Sequence, residues 1–141
     1  MRSYVVVGNQ TLDSPTLAKA IVERTARDPS TIHVVVPATP ARRGLTWDED
    51  EAREVARDRL EAMLARLRAQ GIEATGEIGA PDPIEAVEDA IRGRDVDEIL
   101  LSTLPPGISR WLGQDVPTRL KGSVMVPVAV LTAEREAIRT T

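Results

Sequence analysis

An alternating β/α chain folded around a parallel sheet is the architecture this sequence predicts, and three observations point to it. Apolar periodicity switches repeatedly between short strand-like runs and helix-like stripes. The runs Tyr4-Val5-Val6-Val7, Ile32-His33-Val34-Val35-Val36 and Ile99-Leu100-Leu101 are almost continuously apolar, as central parallel strands buried on both faces are. Two of the helix-like stripes open on a cap: Ser14-Pro15 and Asp82-Pro83 each set a capping side chain before a proline at the first helical position. A chain of 141 residues is long enough for one continuous core. That domain is expected over residues 1–132, with a polar, frayed tail over 133–141.

The elements follow in order. The first strand is predicted over Tyr4–Gly8, and a helix from Pro15 to about Arg27 carries the stripe Leu17, Ala18, Ile21 and Val22. Thr31–Val36 reads as the second strand, stopped by Pro37, and 38–46, with Arg42-Arg43, as a surface loop. A long helix then opens on Asp48-Glu49-Asp50-Glu51, where the helix dipole favours negative charge. Its apolar face is Ala52, Val55, Ala56, Leu60, Met63, Leu64 and Leu67, and Gly71 closes it. Ile72–Ile78 alternates apolar with polar, as an edge strand with one wetter face does. A third helix runs from Pro83 to Gly93 with Ile84, Val87 and Ile91 inward. Strand four is Glu98–Ser102, a short helix spans about Asp115–Lys121, and the last strand is Val126–Leu131.

Composition removes several classes of function. The absence of cysteine excludes disulfides and thiol catalysis and fits a reducing cytoplasm. One histidine, His33, excludes multi-histidine metal sites, and the four carboxylates at 48–51 are explained by the helix dipole, so no metal site is expected. A net charge of −4 lacks the basic surplus of a nucleic-acid binder, and the aromatic set Tyr4, Trp47 and Trp111 is too small for base-stacking platforms. No apolar run approaches the roughly 18–20 residues of a membrane span. The N-terminus enters its first strand without a basic region and cleavage site, so a cytoplasmic location is expected.

The segment Ser102-Thr103-Leu104-Pro105-Pro106-Gly107-Ile108-Ser109-Arg110-Trp111 is the most informative part of the chain, because a buried strand ends there in a polar, rigid loop. In open parallel sheets, ligands bind beyond the carboxyl ends of the strands where the winding reverses. If strands one and four are neighbours, Gly8-Asn9-Gln10-Thr11 and Ser102–Arg110 meet at that place. Gly8 and Gly107 would admit a ligand to the backbone, Ser102, Thr103 and Ser109 offer hydroxyls, and Arg110 offers a fork for phosphate or carboxylate. The competing reading makes Pro105-Pro106-Gly107 a stiff turn, Trp111 its plug and Arg110 a partner of Asp115. Asn9 and Gln10 are equally ordinary turn and surface residues. His33, inside an apolar run, reads as a core histidine, since no acid or nucleophile is placed by sequence to work with it.

The start Tyr4-Val5-Val6-Val7, the segments Gly71-Ile72-Glu73-Ala74 and Gly79-Ala80-Pro81, the strand Asp97-Glu98-Ile99-Leu100-Leu101-Ser102 and the closing Pro127-Val128-Ala129-Val130 together resemble universal stress proteins over residues 4–131. The resemblance implies a Rossmann-like five-stranded parallel sheet in order 3-2-1-4-5 with helices on both faces. It also implies a homodimer through the last strand, with Val128 and Val130 in the contact. Nucleotide-binding members carry an acid after strand one and a G-x2-G-x9-G-S/T motif after strand four. Here Asn9 or Gln10 stands in the acid's place, and Leu112 where the motif wants its second glycine before Gly122-Ser123. Only Val124 to Val126 separate Ser123 from Pro127, which leaves no room for a helix after that pair. Gly122 is therefore expected to stop a helix, and the phosphate-facing end to lie over Gly107–Thr118. Residues 102–112 also resemble the S-T-L-P-P-G-x-S-R-W-L block of a bacterial branch that carries N-Q-T-L after strand one, as Asn9-Gln10-Thr11-Leu12 does.

Two functions compete on these grounds. One is a small-ligand-binding or regulatory domain that takes ATP or another adenine nucleotide between Gly8–Thr11 and Ser102–Arg110. The other is a homodimeric interaction module whose loop is structural or grips a protein partner. Enzymatic turnover has no nucleophile with a base and no metal cage to support it.

Overall fold

A computed structural model describes residues 1–39, 49–105 and 115–133. Its elements are β1 (Arg2–Val7), α1 (Pro15–Arg27), β2 (Ser30–Pro37), α2 (Glu49–Ala69), β3 (Glu73–Gly79), α3 (Pro83–Ile91), β4 (Glu98–Thr103), α4 (Val116–Ser123) and β5 (Val128–Thr132). All strand pairs are parallel, and the order is β3-β2-β1-β4-β5. The expected doubly wound α/β fold is therefore the one the chain adopts, with its switch point between β1 and β4.

Side-chain alternation along the strands builds two cores. On one face Tyr4, Val6, Ile32, Val34 and Leu100 pack against Leu17 and Ile21 of α1 and Leu60, Met63 and Leu67 of α2. On the other, Val5, Val7, Val35, Ile99 and Leu101 pack against Ile84, Val87 and Ala90 of α3 and Val116 and Leu120 of α4. Burying each such aliphatic side chain contributes roughly 1.5–3 kcal/mol, which is why near-continuous apolar runs mark β1, β2 and β4.

The helix ends follow their punctuation. Ser14 Oγ accepts from the Thr16 amide and Asp82 Oδ1 from the Ile84 amide. Gly71, at φ +78°, ends α2 with paired bonds from its own amide to Arg68 O and from the Ile72 amide to Leu67 O. Gly122 differs from expectation. It has no positive φ, α4 runs through Ser123, and extended Val124 ends the helix with its amide on Leu120 O.

Strand boundaries also shift, for backbone reasons. β1 begins at Arg2 because the Arg2 amide donates to Pro29 O, and β5 begins at Val128 because Pro127 has no N–H and contributes only its carbonyl, to the Ile99 amide. At the other end of β5, Ala133 is buried and its amide donates to Thr103 O, so the sheet edge includes the first residue of the expected tail. The rest of that tail lies outside the described residues. Among the described residues no helix is long and apolar enough to cross a membrane.

Candidate functional site

The carboxyl ends of β1, β2 and β4 are where buried polar side chains gather. Asn9, Thr11, Ser14, Ser102 and Thr103 are all buried there or just beyond, and the fold's switch point lies between the strands that carry them. The loop after β1 meets the carboxyl end of β4: Thr11 Oγ1 and Ser102 Oγ share a hydrogen bond of 2.6 Å. The pairing Val7↔Leu101 sets the ends of the two strands side by side.

Each predicted residue then finds a definite place. Gly8 is buried, and its amide donates to Val35 O, so it is spent within the sheet rather than turned outward. A Cβ there would stand 3.0 Å from Leu12 Cδ2 and 3.4 Å from Ser102 Cβ. Glycine at this position thus lets Leu12 and the end of β4 pack closely against the backbone. Asn9 is held inside: Nδ2 donates to Pro37 O at 2.8 Å, and Oδ1 accepts from an Arg59 guanidinium N–H. Gln10 is exposed. Thr103, at the end of β4, is 2% exposed, and its hydroxyl has no hydrogen-bond partner among the described residues. Gly107, Ser109 and Arg110 lie outside the described residues, as does Trp111.

Arg59 is the residue that sequence reasoning missed. It sits in the middle of α2, on the flank of the apolar stripe, and reads there as an ordinary solvated arginine. Only the packing of α2 across the sheet swings its guanidinium to the carboxyl end of β1. Burial pushes its pKa below the ordinary arginine value against the opposing pull of Asp13. About two turns further along, Arg66 reaches the same loop and donates to Leu12 O at 3.2 Å.

His33 lies on β2, away from this crevice, and is buried as expected of a core histidine. Its partners correct the expectation that none is placed for it. Nδ1 is 2.7 Å from Thr75 Oγ1 and Nε2 is 2.7 Å from Glu77 Oε2, both on β3. With Nε2–H donating to the carboxylate, Nδ1 accepts from the threonine hydroxyl, and both ring nitrogens are satisfied. Among the described residues no cluster of three or more metal-ligating side chains is present.

Sheet order, layers and the buried polar side chains at the switch point define the class: a doubly wound α/β domain. More particularly, the fold is that of the universal stress proteins. A universal stress protein family member from Burkholderia pseudomallei superposes with a TM-score of 0.64 at 20% identity, over 91% of this chain and 93% of that one. The universal stress protein of Archaeoglobus fulgidus in complex with dAMP gives 0.64 at 18% identity, over 93% and 97%. A universal stress protein family protein of Arabidopsis thaliana with AMP bound gives 0.64 at 10% identity, over 96% and 94%. No protein-family model matches the chain, and no curated protein matches it significantly.

Proposed function

We propose that this chain is a universal stress protein-like regulatory domain that binds an adenine nucleotide in the crevice between the loops after β1 and β4, in a reducing cytoplasm. The observation that supports it best is the Thr103 hydroxyl, buried at the carboxyl end of β4 without a partner among the described residues. An unsatisfied buried hydroxyl costs roughly 1–3 kcal/mol, a penalty that a ligand oxygen or nitrogen would relieve. AMP and dAMP in two proteins of the same fold favour an adenine nucleotide as that ligand. Ser102 and Thr11 brace the floor of the crevice, and Gln10, Gly107, Ser109 and Arg110 are the further contacts this reading assigns. Calorimetric titration with AMP, dAMP and ATP tests it: Thr103→Val weakens a binding that the unmodified protein shows. Absence of heat with all three nucleotides would sink the reading.

A second reading concerns assembly. β5 is an edge strand whose Val128, Ala129, Val130 and Leu131 are only partly buried, and nearby Met125 is fully exposed. An apolar edge of this kind favours pairing with a second copy. Val128→Asp is then expected to convert a dimer to a monomer in sedimentation. A monomer before substitution would remove the proposal.

A further inference from the structure

Arg59 is a cation taken partly out of water, with Asp13 attracting it from beyond ion-pair distance. It is half-buried, and among the described residues it makes no ion pair. Of its five N–H groups, the described contacts engage one, on Asn9 Oδ1. Asn9 is itself turned by its bond to Pro37 O, which fixes its oxygen toward α2. The guanidinium is thus steered to the carboxyl ends of β1 and β2 by a neutral acceptor, and the pull of Asp13, outweighed by burial, compensates its charge only in part. A partly desolvated charge of this kind is costly unless an anion meets it, and a guanidinium fork matches the paired oxygens of a phosphoryl group.

Arg66 provides the contrast within the same helix. It holds the same loop by donating to Leu12 O and contacts Met63 Sδ, which is what bracing a loop requires. Arg59 adds no such backbone bond. Its depressed pKa, caused by burial, agrees with a guanidinium short of solvent, though arginine stays charged at any ordinary pH.

We infer that Arg59 seats the phosphoryl group of the ligand, so that the charged end of that ligand lies against α2 beside Asn9. This rests on the nucleotide reading above and adds to it the residue that receives the charge. It also makes the crevice electropositive on the α2 side, at a place where sequence alone offers only the neutral Asn9 and Gln10.

The test titrates the whole protein, Arg59→Gln and Arg66→Gln with AMP, adenosine and inorganic pyrophosphate, with melting temperature as the check on folding. Loss of a charge-assisted contact predicts AMP and pyrophosphate binding roughly ten- to hundred-fold weaker in Arg59→Gln. Adenosine binding stays the same, and Arg66→Gln keeps its AMP affinity within about two-fold. If Arg59→Gln does not fold, Arg59→Lys replaces it. That variant keeps the charge but loses the fork, and its AMP binding is expected to fall by a smaller factor.

AMP bound equally well by Arg59→Gln would overturn the inference and leave the nucleotide reading standing. Equal losses in Arg59→Gln and Arg66→Gln, or an equal loss of adenosine, would reduce Arg59 to a loop brace. Pyrophosphate bound in an Arg59-dependent way without any AMP binding would keep the anion seat and discard the nucleotide. No binding of either by the unmodified protein would end both.

Discussion

The two ends of the sheet handle polar groups in opposite ways. At the amino end, Arg2 reaches Asp28 at 3.9 Å and Asp97 at 3.5 Å, with all three side chains about half exposed. Asp97 also accepts from the Ser3 amide. These groups keep much of their hydration and tie strand starts together at little cost. At the carboxyl end, Asn9, Thr11, Ser102 and Thr103 are buried, and Arg59 is half-buried beside them. Three of the four buried groups have partners, and among the described residues Thr103 has none. A fold gains nothing in stability from a buried hydroxyl without a partner, so this end of the sheet is where the proposed ligand would have most to satisfy.

The contrast can be broken most forcefully at the Thr11–Ser102 bond. Ser102→Ala leaves the Thr11 hydroxyl buried and alone, and urea unfolding should show a loss of about 1–3 kcal/mol. Combining it with Thr11→Val should restore most of that loss, because removing both partners leaves nothing unsatisfied. Thr103→Val is next and has the opposite sign. Replacing an unpartnered hydroxyl by a methyl should raise stability by about 1–2 kcal/mol while lowering nucleotide affinity. A destabilised Thr103→Val would mean that the hydroxyl is satisfied in solution. The smallest effect belongs to the amino end: Arg2→Ala should cost less than about 1 kcal/mol, and the difference should fade in concentrated salt.

How much of this could be read from the chain depends on the distance over which each feature is encoded. Caps at Ser14-Pro15 and Asp82-Pro83 and the stop at Gly71 are local, decided by adjacent residues, and they stand where the sequence put them. The strands were legible because burial on both faces demands continuous apolar runs. The meeting of the loop after β1 with the end of β4 was legible only conditionally, since it needs those strands to be neighbours, which the observed order supplies. Arg59 and the partners of His33 were not legible. His33 meets Thr75 and Glu77 through the register His33↔Thr75, set across the α2 crossover. Arg59 reaches Asn9 across fifty positions of sequence. The packing of Gly8 was not legible for a related reason, because a glycine spared for Leu12 and Ser102 has the same spelling as one spared for a ligand.

The cluster on β3 has a bearing on assembly. Glu73, Thr75 and Glu77 share one face of that outer strand. Glu73 and Thr75 are exposed, and the Glu77 side chain is 40% exposed even while bonded to His33. Negative charge along a bare strand repels a second copy of itself and discourages any other strand from docking. The sheet therefore has one border that refuses company and one, at β5, that is apolar. If copies of this chain join at β5, as proposed above, the contact runs like border to like border and is complete after two. On that proposal the histidine clamp on β3 bears on how many molecules come together, although it lies at the edge of the sheet farthest from the strand that would join them.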